Sequence, residues 1–321
     1  MNAQEPHKRI YFTQGYMDPL FQVASLDAIP DDTPHFMHKL LKLASQQGIQ
    51  LLQADSLENL KDFDYLIVFE IFPHQIPALA RLPKEKLILF LWEPPSVLPH
   101  NFYPEYHALF SKIYTWNDAL VDNKTYFKFY YPSYKPMIQE HPAFDTKTLC
   151  TMVAGNRTSS HPDELYSERR RVIEFFERIP SGDFDLLGRG WPTHLKNYKG
   201  AIDNKIERLK LYKFCFSYEN VKGLPGYITE KIFDCFQAGV VPIYWGAPNV
   251  ERFIPKGCFI AREDFTEEAT LYEFMKTLSE EKHAEYIRNI SHFLKSDQAK
   301  LFTIDHLVSI IMDLITPNAR N

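Results

Sequence analysis

The segment YKFCFSYENVKGLPGYITEKIFDCFQAGVVPIYWGAP, from Tyr212 to Pro248, decides the fold prediction. It begins with an aromatic and apolar run that is typical of a buried strand, and it ends with a second run of the same kind. Between these runs, apolar residues recur at helical spacing, which predicts a helix from Tyr227 to Ala238 that Gly239 ends. A strand, a helix and a strand in this order are typical of a parallel sheet covered by helices.

The same alternation extends along the rest of the chain and predicts an α/β protein throughout. Strands are predicted at Arg9–Thr13, Tyr65–Phe69, Leu87–Trp92, Lys112–Trp116, Thr148–Gly155, Phe184–Gly188, Lys213–Tyr218 and Val240–Trp245. Helices are predicted at Pro34–Gln47, at Glu164–Arg178 and in the C-terminal tail, Glu267–Thr316. The Tyr- and Pro-rich stretch YFKFYYPSYKP, 126–136, resists both helix interiors and central strands and predicts a linker. The chain is therefore divided into domains 1–135 and 136–321.

Composition excludes several classes of protein. The 321 residues allow about two domains, and 36 Lys and Arg against 41 Asp and Glu leave no basic excess for a nucleic-acid backbone. The longest apolar runs fall far short of the ~20 residues of a membrane span. The first twelve residues lack the apolar core of a secretory signal, and the four scattered cysteines form no CxxC pair, which indicates a reducing cytosol.

One face of the helix predicted at Tyr227–Ala238 carries polar groups. Tyr227, Glu230, Lys231 and Asp234 share this face, and Glu230 and Lys231 fall in the first turns. Free backbone N–H groups and the positive dipole end attract an anion such as a diphosphate there. An ordinary solvated face with an i, i+4 ion pair is the alternative interpretation.

Arg169 is placed on the packing side of the preceding helix. It shares a stripe with Leu165, Val172 and Phe176, whereas the neighbouring Arg170 and Arg171 rotate towards solvent. A buried guanidinium needs an anionic partner and forms bidentate contacts with phosphate. The hypothesis is a phosphate contact, and the alternative is a structural ion pair with Asp or Glu.

Glu93 directly follows the apolar strand that ends at Trp92. A carboxylate at the carboxyl end of a buried strand is expected at the edge where open sheets bind ligands. Partial desolvation beside Trp92 would raise the pKa of Glu93 towards that of a useful base. A carboxylate that is only hydrogen-bonded to a turn is the alternative.

The motifs FSYEN, 216–220, and GYITEKIFDCFQAGVVPIYWGAPN, 226–249, resemble the signature of the family 10 glycosyltransferases, the α-1,3/1,4-fucosyltransferases. The resemblance is close over 212–249 and weaker over 148–176 and 92–96. It implies a GT-B-like fold, with two Rossmann-like domains whose parallel sheets face a central cleft. It also implies inverting transfer of L-fucose from GDP-fucose to a hydroxyl of an N-acetylglucosamine-containing glycan.

The resemblance also assigns site residues. The positions that coincide with the family's donor-binding residues are Val153, Asn156, Arg169, Asn220, Tyr227, Glu230 and Lys231. Glu93 coincides with the glutamate of the family's Glu-Ser-Pro motif and is implied to be the catalytic base. Arg169 and Lys231 would hold the leaving GDP, and Glu230 would bind sugar hydroxyls or stabilise positive charge on the sugar.

No metal or other cofactor is expected, because Arg and Lys can neutralise the diphosphate. The two Asp-x-Asp strings, Asp62–Asp64 and Asp183–Asp185, precede strands, which is the wrong end for a ligand site. A cytoplasmic location is expected. The amphipathic stretch Leu301–Thr316 is interpreted as a packed terminal helix, with peripheral contact to the inner membrane as the alternative.

Two other functions remain open beside the fucosyltransferase. One is a transferase that uses another GDP-sugar, and the other is a non-catalytic protein that binds a nucleotide sugar or a glycan. Retention of Glu93 together with Arg169 and Lys231 favours an enzyme, because a protein that only binds could lose the base.

Overall fold

The computed structural model of the protein describes residues 8–13, 35–54 and 56–316. The chain forms two compact units. The first contains the chain up to Pro132 together with the segment that begins at Ile304, and the second is Ser133–Thr303. Most of the N-terminal stretch used to argue against a secretory signal, residues 1–7, lies outside the described residues, as does Pro34 at the start of the first predicted helix.

The first unit is built on a parallel sheet. Its described strands are β1 (Lys8–Phe12), β2 (Ile49–Gln53), β3 (Tyr65–Phe69), β4 (Leu87–Leu91), β5 (Lys112–Thr115) and β6 (Tyr126–Lys128), in the order β2-β1-β3-β4-β5-β6. The helices that accompany them are α1 (Phe36–Gln46), α2 (Ile76–Leu79) and α3 (Pro104–His107). All five residues of β4 are buried, as expected for a central strand with both faces covered.

The second unit contains another parallel sheet. Its described strands are β7 (Thr148–Val153), β8 (Phe184–Leu187), β9 (Tyr212–Tyr218), β10 (Val241–Trp245) and β11 (Ile260–Ala261), in the order β11-β10-β9-β7-β8. The helices are α4 (Tyr166–Arg178), α5 (Lys205–Leu209), α6 (Glu230–Ala238), α7 (Glu268–Thr277), α8 (Glu280–Leu294) and α9 (Asp297–Lys300). The order of the strands reverses between β7 and β9, and open sheets bind ligands outside the carboxyl ends of their strands at such a point.

The terminal helix α10 (Ile304–Ile315) belongs to the first unit. It packs against α1, and Lys39 of α1 forms an ion pair with Asp305. The assignment of the whole tail to the second domain is therefore corrected, because α10 packs on a helix of the first unit. The same burial favours the packed terminal helix over the membrane-bound alternative.

The linker prediction also needs correction. Tyr126–Lys128, the start of the predicted linker, pairs with β5 as the parallel edge strand β6. An edge strand tolerates a nearby proline because one of its sides carries no ladder bonds. The units separate just after it, between Pro132 and Ser133. The strand β2 was not predicted, because IQLLQ is short and follows a helix after only two residues.

None of the helices within the described ranges combines the length and the apolar character that are needed to cross a bilayer.

Candidate donor-binding site

A cavity of about 500 Å³ opens in the second unit at the carboxyl ends of β7 and β9. It lies at the switch point of the sheet, a position where open parallel sheets bind ligands. The residues that line it include all but one of the predicted donor-site residues: Val153, Asn156, Arg169, Asn220, Glu230 and Lys231. Arg157, Arg189 and Lys205 also line it, so its walls carry several cations.

Arg169 occupies the packing face of α4, as predicted, and is only 6% exposed. Its Nη2 donates to the carbonyl oxygens of Tyr218 (2.7 Å) and Glu219 (2.8 Å) and to Asn220 Oδ1 (3.2 Å). The alternative of a structural ion pair finds no support among the described residues, where backbone carbonyls at the end of β9 hold the guanidinium instead. Burial lowers the pKa of Arg169, although the charge of Glu219 opposes this. Nη1 has no hydrogen-bond partner among the described residues and can bind a ligand.

Arg170 was predicted to be solvated, and it instead supports the loop after β7. Its Nη2 donates to Asn156 Oδ1 (3.2 Å) and to the carbonyl oxygen of Arg157. Asn156 Nδ2 in turn donates to the carbonyl oxygen of Gly190, 3.1 Å away. The side chain of Asn156 is therefore fixed at the rim of the cavity. Arg171 is exposed and pairs only with Glu168 among the described residues.

The helix α6 begins at Glu230, three residues later than predicted, because Thr229 caps it. The Thr229 side chain accepts from the backbone N–H of Lys231, which fixes the start of the first turn. Gly239 ends the helix as predicted, in the left-handed conformation with φ 63°. A side chain at this position would also collide with the ring of His141.

Lys231 lies in a cluster of charges at the start of α6. Its Nζ is 3.3 Å from a carboxylate oxygen of Glu219 and 3.3 Å from one of Glu230, and 3.0 Å from Thr229 Oγ1. Burial acts to lower the pKa of Lys231, but the charges of Glu219 and Glu230 outweigh it and raise the pKa. In the same way, the charges of Lys231 and Lys205 outweigh burial and lower the pKa of Glu230. Both side chains are therefore charged at neutral pH.

Glu219 is a site residue that the sequence analysis missed. It is fully buried, and its carboxylate accepts from the backbone N–H and the hydroxyl of Thr229, each at 2.8 Å. Gly246 leaves the space for it, because a side chain at that position would collide with Glu219 Cγ. The sequence signal that could have found Glu219 is the alternation of side chains along β9. By this alternation, Cys215, Ser217 and Glu219 share the face towards α6.

Tyr227 is not among the residues that line the cavity. It is buried, and its carbonyl oxygen accepts from the hydroxyl of Tyr244 at 3.2 Å. The structure places it in the turn before α6, outside the helix where the sequence analysis had put it. Its contact with a donor stays a prediction.

Glu93 lies in the first unit, two residues after β4, and is half-buried. Its backbone N–H donates to Glu70 Oε1 at 2.6 Å, and the N–H of Trp92 donates to the same oxygen at 3.0 Å. Glu70 itself is 1% exposed and also accepts from the side-chain amide of Asn101. Burial raises the pKa of Glu70 to about 8, against the effect of these N–H donors. Glu70 therefore supports the turn that presents Glu93, and the sequence analysis missed it.

The two Asp-x-Asp strings lie outside the cavity lining, and Asp64 of the first string accepts from the backbone N–H of Arg9 at 2.8 Å. Asp183 accepts from the hydroxyl of Tyr272 at 2.6 Å, and Asp185 accepts from the hydroxyl of Tyr212 at 2.7 Å and pairs with Lys199. Neither residue lines the cavity. Over the described ranges, no three His, Cys, Asp or Glu side chains are grouped so that they could hold a metal ion.

Several known proteins are similar to this chain in sequence, and others are similar to it in fold. The chain is 40% identical to the alpha-(1,3)-fucosyltransferase FucT of Helicobacter pylori over 84 residues, 26% of the chain and 17% of that relative. It is 28% identical to the 4-galactosyl-N-acetylglucosaminide 3-alpha-L-fucosyltransferase 9 of Mus musculus over 203 residues, 63% of the chain and 51% of that relative. The alignments thus span about half or less of these curated relatives.

A crystal structure of an alpha1,3-fucosyltransferase with GDP-fucose superposes with a TM-score of 0.58 at 17% identity, covering 99% of this chain and 93% of that one. This likeness concerns the fold. It confirms the prediction of two parallel-sheet α/β units of the GT-B class followed by a helical C-terminus. Residues 133–300, slightly more than half of the chain, match the family described as "Glycosyltransferase family 10 (fucosyltransferase) C-term". The chain therefore belongs to glycosyltransferase family 10, the fucosyltransferases.

Proposed function

We propose that the protein is an inverting α-1,3-fucosyltransferase that moves L-fucose from GDP-fucose to a hydroxyl of an N-acetylglucosamine-containing glycan. The observation that carries the proposal is the cavity at the switch point of the second sheet. It brings Arg169, Asn220, Glu230 and Lys231 together from three separate stretches of the chain. Family membership and the likeness in fold to an alpha1,3-fucosyltransferase with GDP-fucose support the same donor.

Arg169 and Lys231 bind the diphosphate in this proposal. Arg169 is oriented by three acceptors on one nitrogen, and Lys231 is held among Thr229, Glu219 and Glu230. Because both cations are fixed before the ligand arrives, they stabilise the charge that develops on the leaving GDP without reorganising. The amino end of α6 adds its dipole to this effect. Glu230 binds ribose or fucose hydroxyls, or stabilises positive character on the sugar ring.

Glu93 acts as the base. The acceptor hydroxyl attacks the anomeric carbon, the bond from that carbon to the phosphate oxygen breaks, and the hydroxyl proton passes to the Glu93 carboxylate. Attack from the face opposite to the leaving GDP inverts the anomeric centre. The contact of Glu70 with the backbone of Trp92 and Glu93 supports a defined orientation of this turn.

The cationic side chains take the place of a metal ion in the proposal. The positive charge that lines the cavity comes from Arg157, Arg169, Arg189, Lys205 and Lys231. Among the described lining residues, Glu230 is the one carboxylate. The acceptor class is carried over from the name of the mouse relative, which acts on a 4-galactosyl-N-acetylglucosaminide.

A donor screen tests the function. Purified protein is incubated with GDP-fucose, other GDP-sugars and UDP-sugars together with an N-acetyllactosamine acceptor, with and without a chelator, and released nucleotide and glycosylated product are measured. We expect GDP-fucose to be used in preference, equally well with the chelator. Preference for a different GDP-sugar would mean that this sugar nucleotide is the donor instead of GDP-fucose. Binding of GDP without any transfer would favour the non-catalytic alternative.

A pair of arginines on α4 provides the matched control. Arg169→Lys loses the planar guanidinium group, which contacts both β9 and the cavity, so GDP should bind at least about tenfold more weakly. Arg171→Lys alters an exposed side chain two residues away, outside the cavity, and should leave the affinity unchanged. Equal effects of the two substitutions would contradict the proposed site.

A further inference from the structure

Ser217 lies on the face of β9 that is directed at α6. Side chains of a strand alternate between its two faces, so Cys215 and Glu219 are the neighbours of Ser217 on this face. Their contacts show which part of α6 lies opposite Ser217. Cys215 packs with Cys235 in one apolar cluster, and Glu219 bonds to Thr229 at the start of α6. Ser217, midway between Cys215 and Glu219, is therefore at the level of the first turns of α6. Both Ser217 and Lys231 line the cavity.

The hydroxyl of Ser217 has no partner among the described residues. The side chain is only 3% exposed, and its Oγ is buried without a hydrogen bond. Two other buried hydroxyls have partners: Thr229 Oγ1 donates to Glu219, and Thr151 Oγ1 on β7 donates to the carbonyl oxygen of Asp185 at 2.8 Å. A buried hydroxyl without a partner costs stability, and at a cavity wall it is free to donate to a bound ligand.

The surroundings of Ser217 determine which atom fits. The Glu219 carboxylate, next along this face, is bonded to Thr229 and paired with Lys231. Lys231 and Arg169 make this part of the wall positive, so a ligand atom here is an anionic oxygen. A hydroxyl can donate to such an oxygen while the cations balance its charge.

We propose that Ser217 donates its hydroxyl hydrogen to a phosphate oxygen of the nucleoside diphosphate bound in this cavity, and that this contact distinguishes a diphosphate from an uncharged ligand. The proposal deepens the donor site described above and rests on that proposed function. It assigns Ser217 a direct contact with the ligand, in addition to the two cations.

Binding of GDP and of guanosine to the intact protein and to Ser217→Ala tests the proposal. We expect the variant to bind GDP about ten- to a hundredfold more weakly, as for the loss of one hydrogen bond to a charged group. Guanosine should bind both proteins equally. The melting temperature of the ligand-free variant should not fall, because the substitution removes an unsatisfied buried group.

Thr151→Val is the matched control. It removes a buried hydroxyl from the adjacent strand, outside the cavity, together with the hydrogen bond that this hydroxyl donates to the carbonyl oxygen of Asp185. It should lower the melting temperature and leave the affinity for GDP unchanged.

Four outcomes would overturn the proposal for Ser217. If the wild type binds GDP and Ser217→Ala binds it with the same affinity, the proposal for Ser217 is wrong and the proposed donor site is unaffected. A lower melting temperature of the ligand-free variant, or an equal loss for guanosine, assigns the hydroxyl a structural role. If the wild type itself does not bind GDP, the proposed donor site fails together with the contact.

Discussion

At the scale of single residues, two buried glutamates hold the turns on which the proposed reaction depends. Glu219 accepts from Thr229 at the start of α6, and Glu70 accepts from the backbone N–H groups of Trp92 and Glu93. Each is almost completely buried, and Glu70 adopts the left-handed backbone conformation, with φ 68°. A non-glycine residue in that conformation is uncommon and is retained where its side chain is needed.

The buried Glu70 predicts a specific pH dependence of stability. Its pKa is raised from 4.5 to about 8, with burial as the main cause. Between these values the folded protein retains a proton that the unfolded chain has lost, so the free energy of unfolding falls as the pH rises. The contribution is about 1.4 kcal/mol per pH unit at most. Glu70→Gln cannot ionise and should remove this contribution from chemical unfolding curves measured between pH 5 and 8.

The exposed Glu58, in the same unit, provides the control substitution Glu58→Gln. Because many groups titrate over this range, the informative quantity is the difference in slope between each variant and the wild type. A slope for Glu70→Gln that equals the wild-type slope would mean that Glu70 is ionised in the folded protein throughout.

Sequence reasoning reached some of these residues and not others, for physical reasons. Helical periodicity placed Arg169 on the packing face of α4 correctly, because a buried stripe is a local pattern. The partners of Arg169 are backbone carbonyls at the end of β9, which carry no side-chain signal. Glu70 was missed because its partners, Trp92, Glu93 and Asn101, are more than twenty residues away in the chain.

At the scale of elements, the caps and the terminal helix differ in how well the sequence predicts them. The end of α6 was predicted because Gly239 is a local stop signal, whereas its start moved from Tyr227 to Glu230 since Thr229 is the better cap. For α10, the amphipathic pattern predicted a packed helix but not its partner. Packing onto α1 joins segments more than 250 residues apart, and only the folded structure reveals it.

The membership of α10 in the first unit can be tested by substitution. Ile311 is fully buried in its apolar face, so Ile311→Ala should lower the free energy of unfolding by about 2–5 kcal/mol. Hydrogen exchange followed by mass spectrometry should accelerate in α1 and β1 more than in β7 and β9. Ser309→Ala, on the exposed side of the same helix, should change neither stability nor exchange appreciably. Acceleration confined to β7 and β9 would assign α10 to the other unit.

At the scale of the whole molecule, the sequence predicts the α/β class and the residues of the proposed donor site more readily than it predicts the features of the first unit. The family match, 133–300, lies entirely within the second unit, Ser133–Thr303. The motifs FSYEN, 216–220, and GYITEKIFDCFQAGVVPIYWGAPN, 226–249, fall within this range. Glu93 lies outside this match, and its role is carried over from a single short motif.

This division of the chain makes donor binding and transfer separable, and Glu93→Gln tests the separation. The donor cavity is lined only by residues of the second unit among those described, so the variant should bind GDP with the wild-type affinity. Transfer of fucose should fall by about 10²- to 10⁴-fold, because the acceptor hydroxyl loses its base. The two quantities are measured by equilibrium titration with GDP and by product formation under saturating donor.

Glu105→Gln, at another carboxylate of the first unit, serves as the control and should match the wild type in both. Equal transfer by Glu93→Gln and wild type would exclude Glu93 as the base, while a parallel loss of GDP binding would place it in the donor site instead.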